Sequence, residues 1–418
     1  MSHKSKVLLH LPIFISPDAL NGSTGRILAM LKYFHDRRDR LAVDAIVANQ
    51  LGLQEWSEDL QQDVLRFVDN IFLYRGERNW FDFVYTRTQS FYHQRLLRQQ
   101  LPVDSDYLAP PGYVDFCAKL LAQGNYNFVW INNLDYAHLA SNLRSRDIQT
   151  VIDIHDITSI FRLVRKNITY SKNLKFDYEA NLNREIDLRD RFHKVIVDSK
   201  SERDLLAEKL SPKKLHLIPS QVIGSERGAH LIPYQHRLFK YDVLFVGAEN
   251  QPNREGLQFF LTDVLPLIVA QQPTVEMLIA GKISSIVDID KALTENVTCL
   301  GYVPDLAEIY LKCRLVICPL QTGAGTKFKL VEAMAYGMPI VTTAYCASAL
   351  SLVDGTNSFI ANDPATYAQR VLQLIRHSEL ARSFSAAVSE TFANEHSSSS
   401  IYSKLDRVLN ISPPHLFD

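Results

Sequence analysis

The run Gly323-Ala324-Gly325-Thr326-Lys327-Phe328-Lys329-Leu330-Val331-Glu332-Ala333-Met334-Ala335-Tyr336-Gly337-Met338-Pro339 carries the reading of the fold. Residues 315–320 ahead of it are apolar and β-branched, which predicts a buried strand. Gly323 and Gly325 then predict a turn, and the next residues a helix of about three turns, stopped by Gly337 before Pro339. Glycines let the backbone come close to a ligand, and a helix start offers free N–H groups and partial positive charge to an anion. Lys327 and Lys329 add full charges at that end, and Glu332 supplies a carboxylate about two turns in. A phosphate beside a carboxylate that can grip sugar hydroxyls suggests a nucleotide-sugar pocket.

Working outward, the chain alternates short β-branched runs with amphipathic stretches, the pattern of βα units on parallel sheets. Strands are predicted at 7–12, 43–49, 71–74, 128–133, 151–157, 195–199 and 215–219. Residues 220–241 are rich in Gly, Pro and His, lack periodicity and predict a linker. The rhythm then restarts with strands at 243–247, 277–281, 297–301, 315–320, 340–343 and 359–361. Helices follow at 364–376 and 379–392, and a last amphipathic helix at 401–409. Two series of βα units imply two doubly wound Rossmann-like domains, at residues 1–222 and 238–395, with 396–418 closing the chain. Ligands of such sheets bind at the carboxyl ends of strands, so the expected site is a cleft between the two facing domains.

A chain of 418 residues suits two such domains. A net charge of −1 makes no overall electrostatic case for nucleic acid or for an anionic membrane. No apolar run approaches the roughly 18–20 residues that span a bilayer. The apolar start at 7–15 is short, interrupted by His10 and Pro12, and reads as a first strand rather than a signal peptide. Cys117, Cys299, Cys313, Cys318 and Cys346 are scattered among apolar neighbours and read as buried free thiols in a reducing compartment, the cytoplasm by default. No metal is expected: Asp288-Ile289-Asp290 lies far along the chain from the glycine turn.

The second half resembles the C-terminal domain of family 4 glycosyltransferases of the GT-B fold. Phe245-Val246-Gly247, Pro252-Asn253 and Phe260 are similar to that domain's opening. Asn296 to Asp305 resembles the family's "nV…GyVpD" segment, and Gly323 to Pro339 its "GxGxKxKxxEAMAxGxPxV" signature. In the first half, Asn21-Gly22-Ser23-Thr24-Gly25-Arg26 and Val197-Asp198-Ser199-Lys200-Ser201-Glu202-Arg203 are similar to the N-domain glycine loop and the "vSxxer" segment. The resemblance implies a retaining transferase that moves a sugar from a nucleotide-diphosphate donor, with the last helix crossing back to pack on the N-domain. It implies no cofactor beyond that co-substrate.

Each residue has a plain reading beside the functional one. Glu332 and Lys329 could be a solvated ion pair on one helix turn, worth a few tenths of a kcal/mol. Cations near a helix start are disfavoured by its dipole, however, and a bound diphosphate would remove that conflict. The resemblance implies that Glu332 accepts hydrogen bonds from ribose hydroxyls. Lys329 would hold the diphosphate, helped by Gly323, Ala324, Gly325, Thr326 and Lys327. Ala324 stands where many members carry a second glutamate, and Asn250, Asn253 and Arg254 stand where an Arg and Lys pair is usual. Asn132 and Asn133 end a strand that often ends in histidine, which leaves His155, before Asp156, as the candidate for contacting the donor sugar or moving a proton. Its plain reading is a packed strand-end histidine. Gly22 and Ser23 form either an ordinary βα turn or a phosphate or acceptor contact. Gly247 closes a strand beside the expected donor, and Val303 either packs at a strand end or lies along the nucleobase.

Residues 74–98 mix aromatic side chains with arginines. Stacking on sugar rings or peripheral contact with the inner face of a membrane would use them, but the favoured reading is packing on the N-domain with snorkelling arginines. The expected partners are a nucleotide sugar and a glycan, lipid-linked or protein acceptor, in polysaccharide or glycoconjugate assembly. A non-catalytic nucleotide-sugar-binding protein and a nucleotide-sugar epimerase on the same fold are the alternatives.

Overall fold

The computed structural model describes residues 4–12, 22–49, 55–143, 147–154, 157–165, 174–221, 232–322 and 327–412. The chain divides into two compact units. Met1–Pro219 and Tyr402–Asp418 form the first, and Ser220–Ile401 the second.

Among the described residues the first unit holds seven strands: β1 (Ser5–His10), β2 (Leu41–Asn49), β3 (Asn70–Arg75), β4 (Phe128–Asn132), β5 (Gln149–Asp153), β6 (Lys194–Val197) and β7 (Leu215–Leu217). They lie in the order β3-β2-β1-β4-β5-β6-β7, and every neighbouring pair is parallel. Such strands are covered on both faces, so they read as unbroken apolar runs, and Val129, Trp130 and Ile131 are fully buried. Strand order reverses between β1 and β4. Helix starts are marked locally: Ser199 accepts from the Glu202 amide ahead of Lys200–Ala207, and Asp177 from the Ala180 amide ahead of Tyr178–Asp190.

The end of the chain belongs to this unit. Along the last helix, Ser398–Val408, Asp406 accepts from Tyr33 at 2.9 Å and from Nε and Nη2 of Arg37, both at 3.0 Å. Tyr402 donates to Asp36 at 2.8 Å, and Lys194 donates to the Val408 carbonyl.

The second unit holds β8 (Tyr241–Val246), β9 (Met277–Ala280), β10 (Val297–Gly301), β11 (Cys313–Cys318), β12 (Ile340–Thr342) and β13 (Phe359–Ile360). They too form an all-parallel sheet, in the order β10-β9-β8-β11-β12-β13, with the reversal between β8 and β11. Both units are therefore doubly wound, Rossmann-like α/β folds. Cys299 corrects the expectation of five buried thiols: it lies on the edge strand β10 and is exposed.

Two glycines set the approach of helices to this sheet. A Cβ on Gly256, in the helix Gln251–Phe259, would lie 2.9 Å from the Pro319 carbonyl oxygen, so only glycine lets this helix lie so close beyond the end of β11. Gly337 adopts φ +56° after the helix Phe328–Ala335 and donates to the Met334 carbonyl. That helix has eight residues, about two turns rather than the three expected. Lys327 already holds non-helical angles at its start, and Tyr336 leaves the helix at its end.

Candidate functional site

In the second unit two helices start just past the carboxyl ends of the strands on either side of the reversal. Gln251–Phe259 follows β8, and Phe328–Ala335 follows β11. This is where doubly wound sheets bind ligands, because the helices leave opposite faces and open a crevice. Asn250 caps the first helix, its side chain accepting from the Asn253 amide at 3.0 Å. Asn253 is buried; its Nδ2 donates to the Ala248 carbonyl at 2.9 Å, and its Oδ1 accepts from Nζ of Lys329. Lys329, the second residue of the other helix, thus ties the two helix starts together, with its ammonium 4.5 Å from the centre of the Phe245 ring. Lys327, buried at the same start, lies 4.9 Å over the Tyr345 ring.

This corner concentrates positive charge. Two helix starts each contribute partial charge, and two ammonium groups add to it. Burial lowers the Lys329 pKa, and Lys327 pushes it the same way, while Cys318 and Cys346 act in the opposite sense. An anion bound here would relieve the repulsion.

Glu332 is the fifth residue of its helix, just over one turn in. The Lys329–Glu332 pair of the plain reading does not form: Lys329 turns to Asn253, and Glu332 accepts at Oε2 from the hydroxyl of Tyr310 at 3.0 Å. Tyr310 is fully buried and stacks on Tyr336, ring centres 4.6 Å apart and 11° from parallel. Tyr336 is itself buried. Burial pushes the Glu332 carboxyl up to about 7; the Tyr310 hydrogen bond opposes this, and Asp305 adds to it. Near neutral pH this group is poised between accepting and donating hydrogen bonds.

At the end of β11, Sγ of Cys318 is 3.6 Å from Sγ of Cys346, so two of the thiols that look scattered in the chain meet in space. The Cys318 thiol donates to Cys346 and lowers the Cys346 pKa below that of an ordinary thiol; burial opposes this, while Thr343, Lys327 and Lys329 act in the same sense. The Thr343 hydroxyl donates to the Leu320 carbonyl and so joins the ends of β11 and β12.

The remaining candidates divide three ways. Gly323, Ala324, Gly325, Thr326 and His155 lie outside the described residues. Gly22 and Ser23 do not form a turn but open the helix Gly22–Asp36. Arg26, within that helix, is buried, pairs with Asp153 at 2.7 Å and donates to the Ile218 carbonyl at 3.0 Å, a structural tie between the ends of β5 and β7. In the second unit, Arg254 is exposed and borders an open groove of about 740 Å³ with Asn250, Gln251 and Glu255. Gly247 follows β8 directly; its amide donates to the Ala280 carbonyl, and a Cβ would lie 2.8 Å from the Phe245 ring. Val303 packs on the core, and Tyr302 before it is exposed.

Sequence reasoning missed Tyr310, which lies 22 residues from Glu332 with no local signal of the pairing. It also passed over His10, although a lone polar residue in an apolar strand was a visible signal. His10 ends β1 at the reversal of the first sheet, its carbonyl accepting from Nδ2 of Asn132 at 2.6 Å. Its ring lies 4.2 Å from that of Tyr136, and burial lowers its pKa to about 3, so it is neutral. Among the described residues, His10 Nδ1 and Asn132 Oδ1 are buried without a hydrogen-bond partner.

Residues 240–377 match the family model of Glycosyl transferases group 1. That segment runs from β8 to just past the helix Pro364–Arg376 and contains Asn253, Tyr310, Lys329 and Glu332. Among curated proteins, an uncharacterized 44.6 kDa protein in the cps region of Klebsiella pneumoniae is 27% identical over 269 residues. The match covers 59% of this chain and 63% of that protein, less than two thirds of its length. Among solved structures, Staphylococcus aureus TarM, in complex with fondaparinux, α-GlcNAc-glycerol and UDP, aligns with a TM-score of 0.62 at 14% identity, over 97% of this chain and 100% of TarM. Anabaena HepE in complex with UDP and glucose aligns at 0.56 and 15%, over 97% and 100%. Sucrose-phosphate synthase from Thermosynechococcus elongatus aligns at 0.61 and 15%, over 97% and 98%. These likenesses show a GT-B fold along the chain, and the matching domain supports a glycosyltransferase.

Proposed function

We propose that this protein is a retaining glycosyltransferase of the family 4 type, which moves a hexose-like sugar from a nucleoside-diphosphate sugar to a glycan acceptor. The observation that carries this reading is that Lys329 and Glu332 stand one turn apart at one helix start, each held by a different partner. A half-buried ammonium lies at two converging helix starts, and a carboxylate near its titration point lies one turn on. The diphosphate would meet Lys329, Lys327 and the free amides of the helix start, while Glu332 would accept from the ribose hydroxyls. As the bond from the anomeric carbon to the diphosphate breaks, negative charge grows on the leaving oxygens, where these cations stabilise it. The acceptor oxygen bonds to the anomeric carbon on the same face and gives its proton to the departing diphosphate. UDP and glucose in the HepE complex, and UDP with fondaparinux in the TarM complex, lend support to this pairing of donor and acceptor classes.

A second reading, a nucleotide-sugar-binding protein without turnover, is favoured by one observation. Asn250 and Asn253 occupy the place of a basic clamp, and both spend side-chain groups on the protein itself. Thermal-shift measurements with UDP, GDP, ADP and their sugars, repeated on Glu332→Ala, test binding. The expected result is stabilisation by at least one ligand that the variant largely loses. No shift with any of them would sink both readings. Release of nucleoside diphosphate only when glycan acceptors are added separates transfer from binding alone, and turnover of the sugar nucleotide without acceptor would point to an epimerase.

A further inference from the structure

The helix Trp80–Phe91, continued through Tyr92–Leu96, is amphipathic in the reverse of the usual sense. Its polar stripe faces the protein. Asp82 is buried, accepts from Tyr74 at 2.5 Å and from the Gly112 amide at 3.0 Å, while Tyr85 and Gln89 donate to Asp106 at 2.9 and 2.6 Å. Residues 82, 85 and 89 recur at the 3–4 spacing of one helix face. On the opposite side Trp80, Val84 and Phe91 are exposed, Trp80 by 76% and Phe91 by 58%, and Phe81, Tyr92 and Leu96 add exposed apolar surface along the flank of the helix. The expectation that these aromatic side chains pack on the domain is therefore corrected: polar groups anchor the helix and its apolar face looks outward.

Charge on this segment is one-sided. Over residues 75–99, Arg75, Arg78, Arg87, Arg95 and Arg98 face only two acidic residues, Glu77 and the inward Asp82. Arg87 and Arg95 flank Phe91 at helical spacing and are exposed. A net charge of −1 for the whole chain conceals this local excess. Contiguous exposed apolar surface marks an interaction site, and aromatic side chains among arginines suit the headgroup boundary of a bilayer, where rings insert and guanidinium groups meet phosphate.

We propose that this face docks the protein onto an anionic lipid surface, lying in the interface rather than crossing it. Tryptophan fluorescence reads the event directly, because Trp56 and Trp130 are buried and Trp80 alone of the three is exposed. The full chain is titrated with vesicles of phosphatidylcholine alone, and of phosphatidylcholine with an equal part of phosphatidylglycerol. The expected result is a blue shift and co-sedimentation with the anionic vesicles only, with quenching by brominated acyl chains. Arg87→Glu with Arg95→Glu should weaken partitioning at least about tenfold. Phe91→Ser should weaken it while leaving the melting temperature and circular dichroism unchanged. Absence of partitioning into anionic vesicles overturns the proposal, as does partitioning that these variants leave intact. A blue shift without lipid that grows with protein concentration, alongside a dimeric mass, would overturn it in favour of a second copy of the chain.

Discussion

The buried hydroxyl of Tyr310 donates to Oε2 of Glu332 across 3.0 Å, and it is the hydrogen bond that opposes the upward push of burial on that carboxyl. Replacing Tyr310 with Phe keeps the ring stacked on Tyr336 and removes only the donor. The Glu332 pKa then rises further, so the pH at which nucleoside diphosphate affinity appears moves upward. At pH 7 affinity falls by about threefold to tenfold, a hydrogen bond to a charged group being worth on the order of 1.5–3 kcal/mol before screening. Binding measured between pH 6 and 9 checks this; an unmoved midpoint would remove Tyr310 from the control of Glu332.

Glu332 also links stability to pH. Burial holds its folded-state carboxyl near 7, above the unfolded value of 4.5. The contribution of the neutral form is fully present below pH 4.5 and is lost as pH rises through about 7. Glu332→Gln, neutral at every pH, should therefore melt at a higher temperature than the parent at pH 8 and converge with it near pH 4. The same variant should lose most of its stabilisation by nucleoside diphosphate. Equal melting temperatures at pH 8 would show that burial costs this carboxylate nothing.

Asn253 and Lys329 should behave as one unit. Lys329→Met removes the charge, and Asn253→Ala leaves the ammonium without its amide partner. Each change should weaken diphosphate binding by about tenfold, and the double variant by clearly less than the product. A calorimetric cycle on the four proteins measures the coupling; strict additivity would mean that Asn253 plays no part in placing the lysine.

Asp406 closes the end of the chain onto the first unit through Tyr33 and Arg37, with both its side chain and that of Arg37 largely buried. Asp406→Ala leaves a guanidinium and a phenol without their acceptor and should cost about 3–5 kcal/mol. Urea unfolding of the variant checks this. A loss under about 1 kcal/mol would place the pair with exposed salt bridges.

Strand positions were legible because parallel strands covered on both faces must be continuous apolar runs. The expected strand at 151–157 ends instead at Asp153, because Ile154 and Ile157 continue the apolar pattern as buried residues beyond the ladder. The helix start bearing Lys327 and Lys329 was equally legible, since glycine and charge act within one turn. The partners of those side chains were not. Lys329 meets Asn253 across 76 residues and Glu332 meets Tyr310 across 22, separations over which no periodicity runs. The outward face of the helix Trp80–Phe91 was misread for a related reason: a wheel reveals two faces but not which of them the protein covers.

The sequence by itself determined two parallel sheets, their order in the chain, and a helix start armed with two lysines and a glutamate. Each follows from interactions spanning a few residues. Only the tertiary structure decided that Lys329 would bridge two helix starts, that Glu332 would be held by Tyr310 and titrate near 7, and that Trp80 would face outward. Desolvation and hydrogen bonding depend on what surrounds an atom in space, and these surroundings are assembled from segments far apart in the chain.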